Sequence, residues 1–156
     1  MGDAPFAAHN GTFGEYPETF GESPETFLGI HVRMTDRQPR QSLEHLSKKI
    51  ERLNLSPSQI FLATDNAEVE DYFAATHKNV VFMPKWRPQY DTGQQAGIHH
   101  YAALSDDYSK VETVLKESIV DMWLLSKCEY LIFQKNSRFS RMSAILKNQP
   151  AKTFSW

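Results

Sequence analysis

The chain has 156 residues, 40% of them hydrophobic and 23% charged, with a formal net charge of −2. That length suits one domain with a real core, and the near-neutral balance excludes the global basic field that draws a nucleic acid, so any anion site must be local. No apolar run approaches the roughly 18 residues of a membrane span, MGDAPFAAHNGTF lacks the basic and apolar regions of a secretory signal, and Cys128 is a single cysteine, so a cytoplasmic protein without disulfides is expected.

Residues 1–26 hold GEYPETF (14–20) followed at once by GESPETF (21–27), a tandem near-repeat rich in Gly, Pro and Glu. No period of 2 or 3.6 persists there, which predicts a flexible N-terminal arm. The folded domain is expected over 27–156. Thr26–Arg33 (TFLGIHVR) reads as a buried strand that ends on His31, Arg33, Asp36 and Arg37.

Ser42–Leu53 sets Leu43, Leu46, Ile50 and Leu53 at helical spacing. After the Asn54-Leu-Ser-Pro breaker, Gln59–Ala63 (QIFLA) predicts a second strand. Asp65 or Asn66 can cap a helix that runs to about His77. Asn79–Met83 (NVVFM) predicts a third strand, and Pro84–Ser109 a long loop of the kind that usually carries function.

Val111–Lys127 is the strongest helix, with Val114, Leu115, Ile119, Met122, Trp123 and Leu125 making a wide apolar face. Glu129–Phe133 (EYLIF) predicts a fourth strand, Ser137–Lys147 a last helix, and Lys152–Ser155 a short fifth strand. Strands and helices thus alternate, and the strands are almost continuously apolar. That pattern predicts an α/β fold, a three-layer Rossmann-like domain with a parallel sheet of about five strands. In such sheets ligands lie beyond the carboxyl ends of the strands, where the winding reverses. Outward winding makes the first and fourth strands neighbours at that point.

The groups that follow the strands therefore matter most. They are His31, Arg33, Asp36 and Arg37 after the first strand, Thr64, Asp65 and Asn66 after the second, and Gln134, Lys135, Asn136 and Ser137 after the fourth. A guanidinium, a hydroxyl and a helix N-terminus facing one crevice suit a pyrophosphate. Each also has a structural reading: an Arg33 ion pair with Asp36 or Asp65, a hydrogen-bonded core His31, a cap at Asp65 or Ser137. Asp121 sits in an apolar helix, SIVDMWLL, and must have a partner there, either a structural donor or a ligand N–H group.

HVRMTDR, IFLATDNAEVEDYF and SIVDMWLLSKCEYLIFQKNSRFSRMSAIL, in that order and spacing over residues 27 to about 147, resemble the donor-domain motifs of α-1,6-fucosyltransferases. That group includes the core fucosyltransferases of N-glycans, the nodulation-factor fucosyltransferases and, more distantly, protein O-fucosyltransferases. The resemblance implies the C-terminal, donor-binding half of a GT-B glycosyltransferase. It also implies GDP-fucose or a related GDP-sugar as donor, an inverting transfer, and no metal or other cofactor. By position it assigns Arg33 to the pyrophosphate, His31 to the nucleotide, Asp121 to the guanine edge and Ser137 to the β-phosphate, with Asp65 the aspartate of the second motif.

The chain departs from the family pattern at three positions. Met34 replaces a second arginine, Asn136 replaces a serine, and Gln41 stands where the proposed base of the core enzymes falls. Residues 1–26 are too short to supply the acceptor domain a GT-B enzyme needs. Two readings follow: a fucosyltransferase-like protein acting on a glycan acceptor, or a non-catalytic nucleotide-sugar-binding module. A homo-oligomer or a separate acceptor subunit would serve the first.

Other groupings point less far. His99-His100 with His77 or Asp91 offers a loose metal set. Asp106-Asp107 reads as a helix start. Trp86-Arg87 and Tyr90 could stack on a base or sugar, and Cys128 is expected buried and inert.

Overall fold

The alternation of strand and helix signals becomes a five-stranded, all-parallel sheet in the order β3-β2-β1-β4-β5 among the described residues. The structure is a computed structural model and describes residues 27–34, 39–85 and 108–156. The N-terminal repeat, Asp36, Arg37, Trp86, Arg87, Tyr90, Asp91, the His99-His100 pair and Asp106-Asp107 lie outside them.

The strands are β1 Phe27–Val32, β2 Gln59–Thr64, β3 Val80–Val81, β4 Tyr130–Phe133 and β5 Thr153–Ser155. The helices are α1 Leu43–Leu53, α2 Ala67–Thr76, α3 Tyr108–Lys127 and α4 Arg138–Lys147, and a 3₁₀ turn over Pro150–Lys152 leads into β5. β1 is central, pairing with β2 (Val32 opposite Thr64) and with β4 (Ile30 opposite Ile132). The winding reverses between β1 and β4, as outward winding predicts.

Period-two alternation sorts the residues of β1 onto two faces. Leu28, Ile30 and Val32 join Leu46 of α1 and Val69 and Phe73 of α2 in one core cluster. Phe27 faces the other way, with Phe61, Ala63, Leu124, Leu125, Cys128 and Leu131, beneath α3 and α4. Fully burying each such aliphatic or aromatic side chain contributes roughly 1.5–3 kcal/mol, so the two clusters hold the layers together. Gly29 matters here. A Cβ at this position would lie 3.0 Å from the Cys128 Sγ and 3.2 Å from the Leu125 Cδ2, so the side chains at the end of α3 would have to give by a few tenths of an ångström.

The helix ends follow local chemistry. Ser42 Oγ accepts from His45 N–H (3.2 Å) to start α1. Of the two candidate caps for α2 it is Asn66 that acts, its Oδ1 accepting from Glu68 and Val69 N–H. Asn54 and Asn148 end α1 and α4 in the left-handed region, at φ 47° and 50°.

Two expectations need correction. The third strand is only Val80–Val81 instead of 79–83, because it is an edge strand paired on one side alone and Pro84 follows. On α3 the apolar residues do not form one inward face. Val114, Leu124 and Leu125 are buried, whereas Leu115, Ile119 and Trp123 point outward, Ile119 being 66% exposed. The apolar residues wrap too far round the helix for one layer of sheet to cover them all.

Candidate functional site

β1, β2 and β4 end together, so their following residues meet at one edge of the sheet. There a cleft of about 50 Å³ opens, with His31 and Arg33 on the β1 side, Thr64 and Asp65 on the β2 side, and Lys85 beyond β3. Glu117, Ser118 and Asp121 of α3 and Phe139 of α4 complete it. Of the seven expected site residues, His31, Arg33, Asp65 and Asp121 line this cleft.

His31 lies on the α4 side of the sheet, two residues beyond Gly29. It is buried, its Nδ1 is hydrogen-bonded to Ser140 Oγ, and its ring stacks on Phe139 with centroids 4.7 Å apart. Burial, with the positive charges of Lys85 and Arg33 adding, pushes its pKa from 6.5 to about 3. The imidazole is therefore neutral at pH 7. It is a hydrogen-bonded core histidine and a cleft wall at once.

Two hydrogen bonds fix the loop after β1. Arg33 N–H donates to Gln134 Oε1 (2.7 Å) and Met34 N–H to Asp65 Oδ1 (2.8 Å). Gln134, 1% exposed, passes the link on through its Nε2 to Asn136 Oδ1 (2.8 Å). Asn136 thus belongs to a brace behind the cleft. Gln134 stands among the groups expected after the fourth strand, but its role as a brace was not foreseen there. Its signal was an amide set directly after a buried strand, where every polar atom must find a partner.

Ser137 is fully buried as the N-cap of α4, its Oγ accepting from Ser140 N–H at 3.3 Å, and it does not line the cleft. Asp121 has the partner that an apolar helix demands of a carboxylate. Lys85 Nζ pairs with its Oδ2, and the two side chains are 6% and 7% exposed. That pair joins the segment after β3 to the middle of α3, across the cleft. Neither position suggests it in sequence, because 36 residues separate them.

Cys128 is buried as expected, and burial pushes its thiol up to about 12, so it holds no thiolate near neutral pH. Among the described residues no three His, Cys, Asp or Glu side chains are grouped to hold a metal ion. No helix of the described residues is long and apolar enough to cross a membrane.

What this arrangement can do chemically is bounded by its charges. Arg33 and Lys85 are cations suited to phosphate oxygens, Asp121 and Glu117 are acceptors suited to N–H donors, and His31 is a neutral wall.

No protein-family model and no curated protein sequence matches the chain. Solved structures do. NodZ α-1,6-fucosyltransferase soaked with GDP-fucose aligns at a TM-score of 0.54 and 26% identity. The same enzyme co-crystallised with GDP aligns at 0.51 and 23%, and fucosyltransferase NodZ from Bradyrhizobium at 0.50 and 23%. Each match covers 77% of this chain and 35% of the other, so the chain spans about a third of their length. The five-stranded parallel sheet with its flanking helices is therefore an α/β unit with a GT-B, fucosyltransferase-like fold.

Proposed function

We propose that the cleft at the carboxyl ends of β1 and β2, under α3, binds the nucleotide diphosphate of a GDP-sugar, GDP-fucose or a close relative. The observation that carries this reading is the convergence of Arg33, His31, Asp65 and Asp121 on one cleft at the carboxyl edge of the sheet. The likeness to a fucosyltransferase soaked with GDP-fucose supports it. Arg33 would grip the diphosphate, Asp121 would accept from the guanine N–H groups, and the neutral His31 would line the nucleotide. If transfer occurs, it is an inverting displacement at the sugar carbon, with positive side chains rather than a metal stabilising the departing diphosphate. The first turn of α4 would add to that stabilisation, and Ser137 would serve it as the cap that shapes the turn.

A second reading is a binding module without transfer, and Gln41 favours it. Its exposed amide stands where the resemblance places a base, and an amide cannot take a proton. Titration calorimetry with GDP, GDP-fucose, UDP and ADP checks both. Preferential binding of the guanine nucleotides is expected, and absence of any guanine-nucleotide binding at millimolar concentration removes both readings. Binding with no transfer to any glycan acceptor and no hydrolysis selects the module.

A further inference from the structure

The cleft is too small for what it is proposed to hold. The half-open cleft holds about 50 Å³, whereas small-molecule sites run to roughly 300–1,000 Å³. Something must move, and most of the lining is tied down. His31 is fixed by Ser140 and Phe139, the Arg33 backbone by Gln134, and the Asp65 carboxylate by Met34 N–H.

Lys85 differs in kind. It stands directly after Pro84, beyond the two-residue edge strand β3, and crosses the cleft on a flexible four-carbon stem to reach Asp121. A buried ion pair is worth little net, because desolvating both charges offsets most of their attraction. Exchanging its members for other charged, hydrogen-bonded partners is therefore close to free, unlike breaking either one out alone.

We infer that Lys85 and Asp121 exchange partners on ligand binding: the ammonium swings from the carboxylate to the diphosphate, and the carboxylate is released to the N–H donors of the base. This rests on the nucleotide-sugar reading above and adds a residue to it. Lys85 is then a specificity device as well as an anion ligand. A ligand that brings both an anion for the amine and N–H donors for the carboxylate is therefore favoured over one that brings either alone.

The test is calorimetry of inorganic pyrophosphate, guanosine and GDP on the full chain and on Lys85→Met. Exchange predicts that the variant binds pyrophosphate and GDP at least tenfold more weakly, while guanosine binds as well or better because no pair has to be broken. Where Lys85→Met leaves Asp121 buried and the variant unfolds, Lys85→Met with Asp121→Asn removes both charges and must show the same loss for pyrophosphate. Unchanged GDP and pyrophosphate affinity in a folded variant, or an equal loss of all three ligands, overturns the inference. If the unaltered chain binds pyrophosphate through Lys85 but neither guanosine nor GDP preferentially, the nucleotide reading fails while the anion role of Lys85 stands. If it binds none of the three, both fail.

Discussion

Lys85 and Lys147 are both long cations folded into the protein, one at the carboxyl edge of the sheet and one at the amino edge, and their partners differ in kind. Lys147 donates to the backbone carbonyl of Cys128 at the end of α3, where a cation also meets the negative end of the helix dipole. Burial lowers its pKa. Around it Lys152 pairs with Glu129 at 3.6 Å and Lys127 lies over the Trp123 ring, all beside a hollow of about 400 Å³. That hollow is the larger of the two, yet its charges close helix ends and each other. The upper cleft is small, but its lysine holds a side-chain carboxylate that a ligand can take over. The nature of the partner, more than the size of the space, separates a site from a corner.

That contrast can be broken by substitution. The largest effect is expected from Lys85→Ala, which breaks the buried ion pair with Asp121 and should cost about 3–5 kcal/mol in chemical denaturation. Adding Asp121→Leu should restore most of that, since an apolar replacement of a buried pair is near neutral. At the other edge, Lys147→Met should cost only about 1–2 kcal/mol, because it forfeits one hydrogen bond to a carbonyl, and no second substitution should recover it. Equal costs at the two lysines would erase the distinction.

The pH response of the upper cleft sharpens it further. Above about 6.5 His31 is neutral whether the chain is folded or not, and it contributes no pH dependence. Below that, the unfolded chain takes up a proton that folded His31 refuses down to about 3, so stability falls as the pH drops through this window. His77, whose pKa burial also lowers, adds to the slope. Denaturation midpoints measured across the window should therefore decline less steeply for His31→Asn than for the unaltered chain. An identical slope would mean that His31 protonates in the folded state.

The brace should matter less than the Lys85 pair. Gln134→Leu leaves the Arg33 N–H without its acceptor and should cost about 1–3 kcal/mol, with faster hydrogen exchange at Arg33. Asn66→Ala removes only a cap and should cost about 1 kcal/mol, with the cleft unaffected.

Much of the fold was legible because it rests on local pattern. Continuous apolar strands, capped helices and their alternation dictate the parallel sheet, and outward winding then sets β1 beside β4. The misjudged parts depend on neighbours the sequence does not announce. The length of β3 is set by having one pairing partner, and the inward face of α3 by how much sheet lies beneath it. The same division holds at the cleft. His31, Arg33, Asp65 and Asp121 are readable from their places after strands or inside an apolar helix. The pairing of Lys85 with Asp121 and the Gln134 brace arise only when distant segments meet, as does the burial of Ser137 behind its own helix.

The most direct test of the account is amide chemical-shift mapping of the full chain titrated with GDP. Saturable shifts confined to the carboxyl edge, at Arg33, Met34, Asp65, Lys85, Ser118, Asp121 and Phe139, are predicted, with Glu129, Lys147 and Lys152 unmoved. Shifts centred on the Lys147 hollow instead, or none at saturating nucleotide, would contradict it.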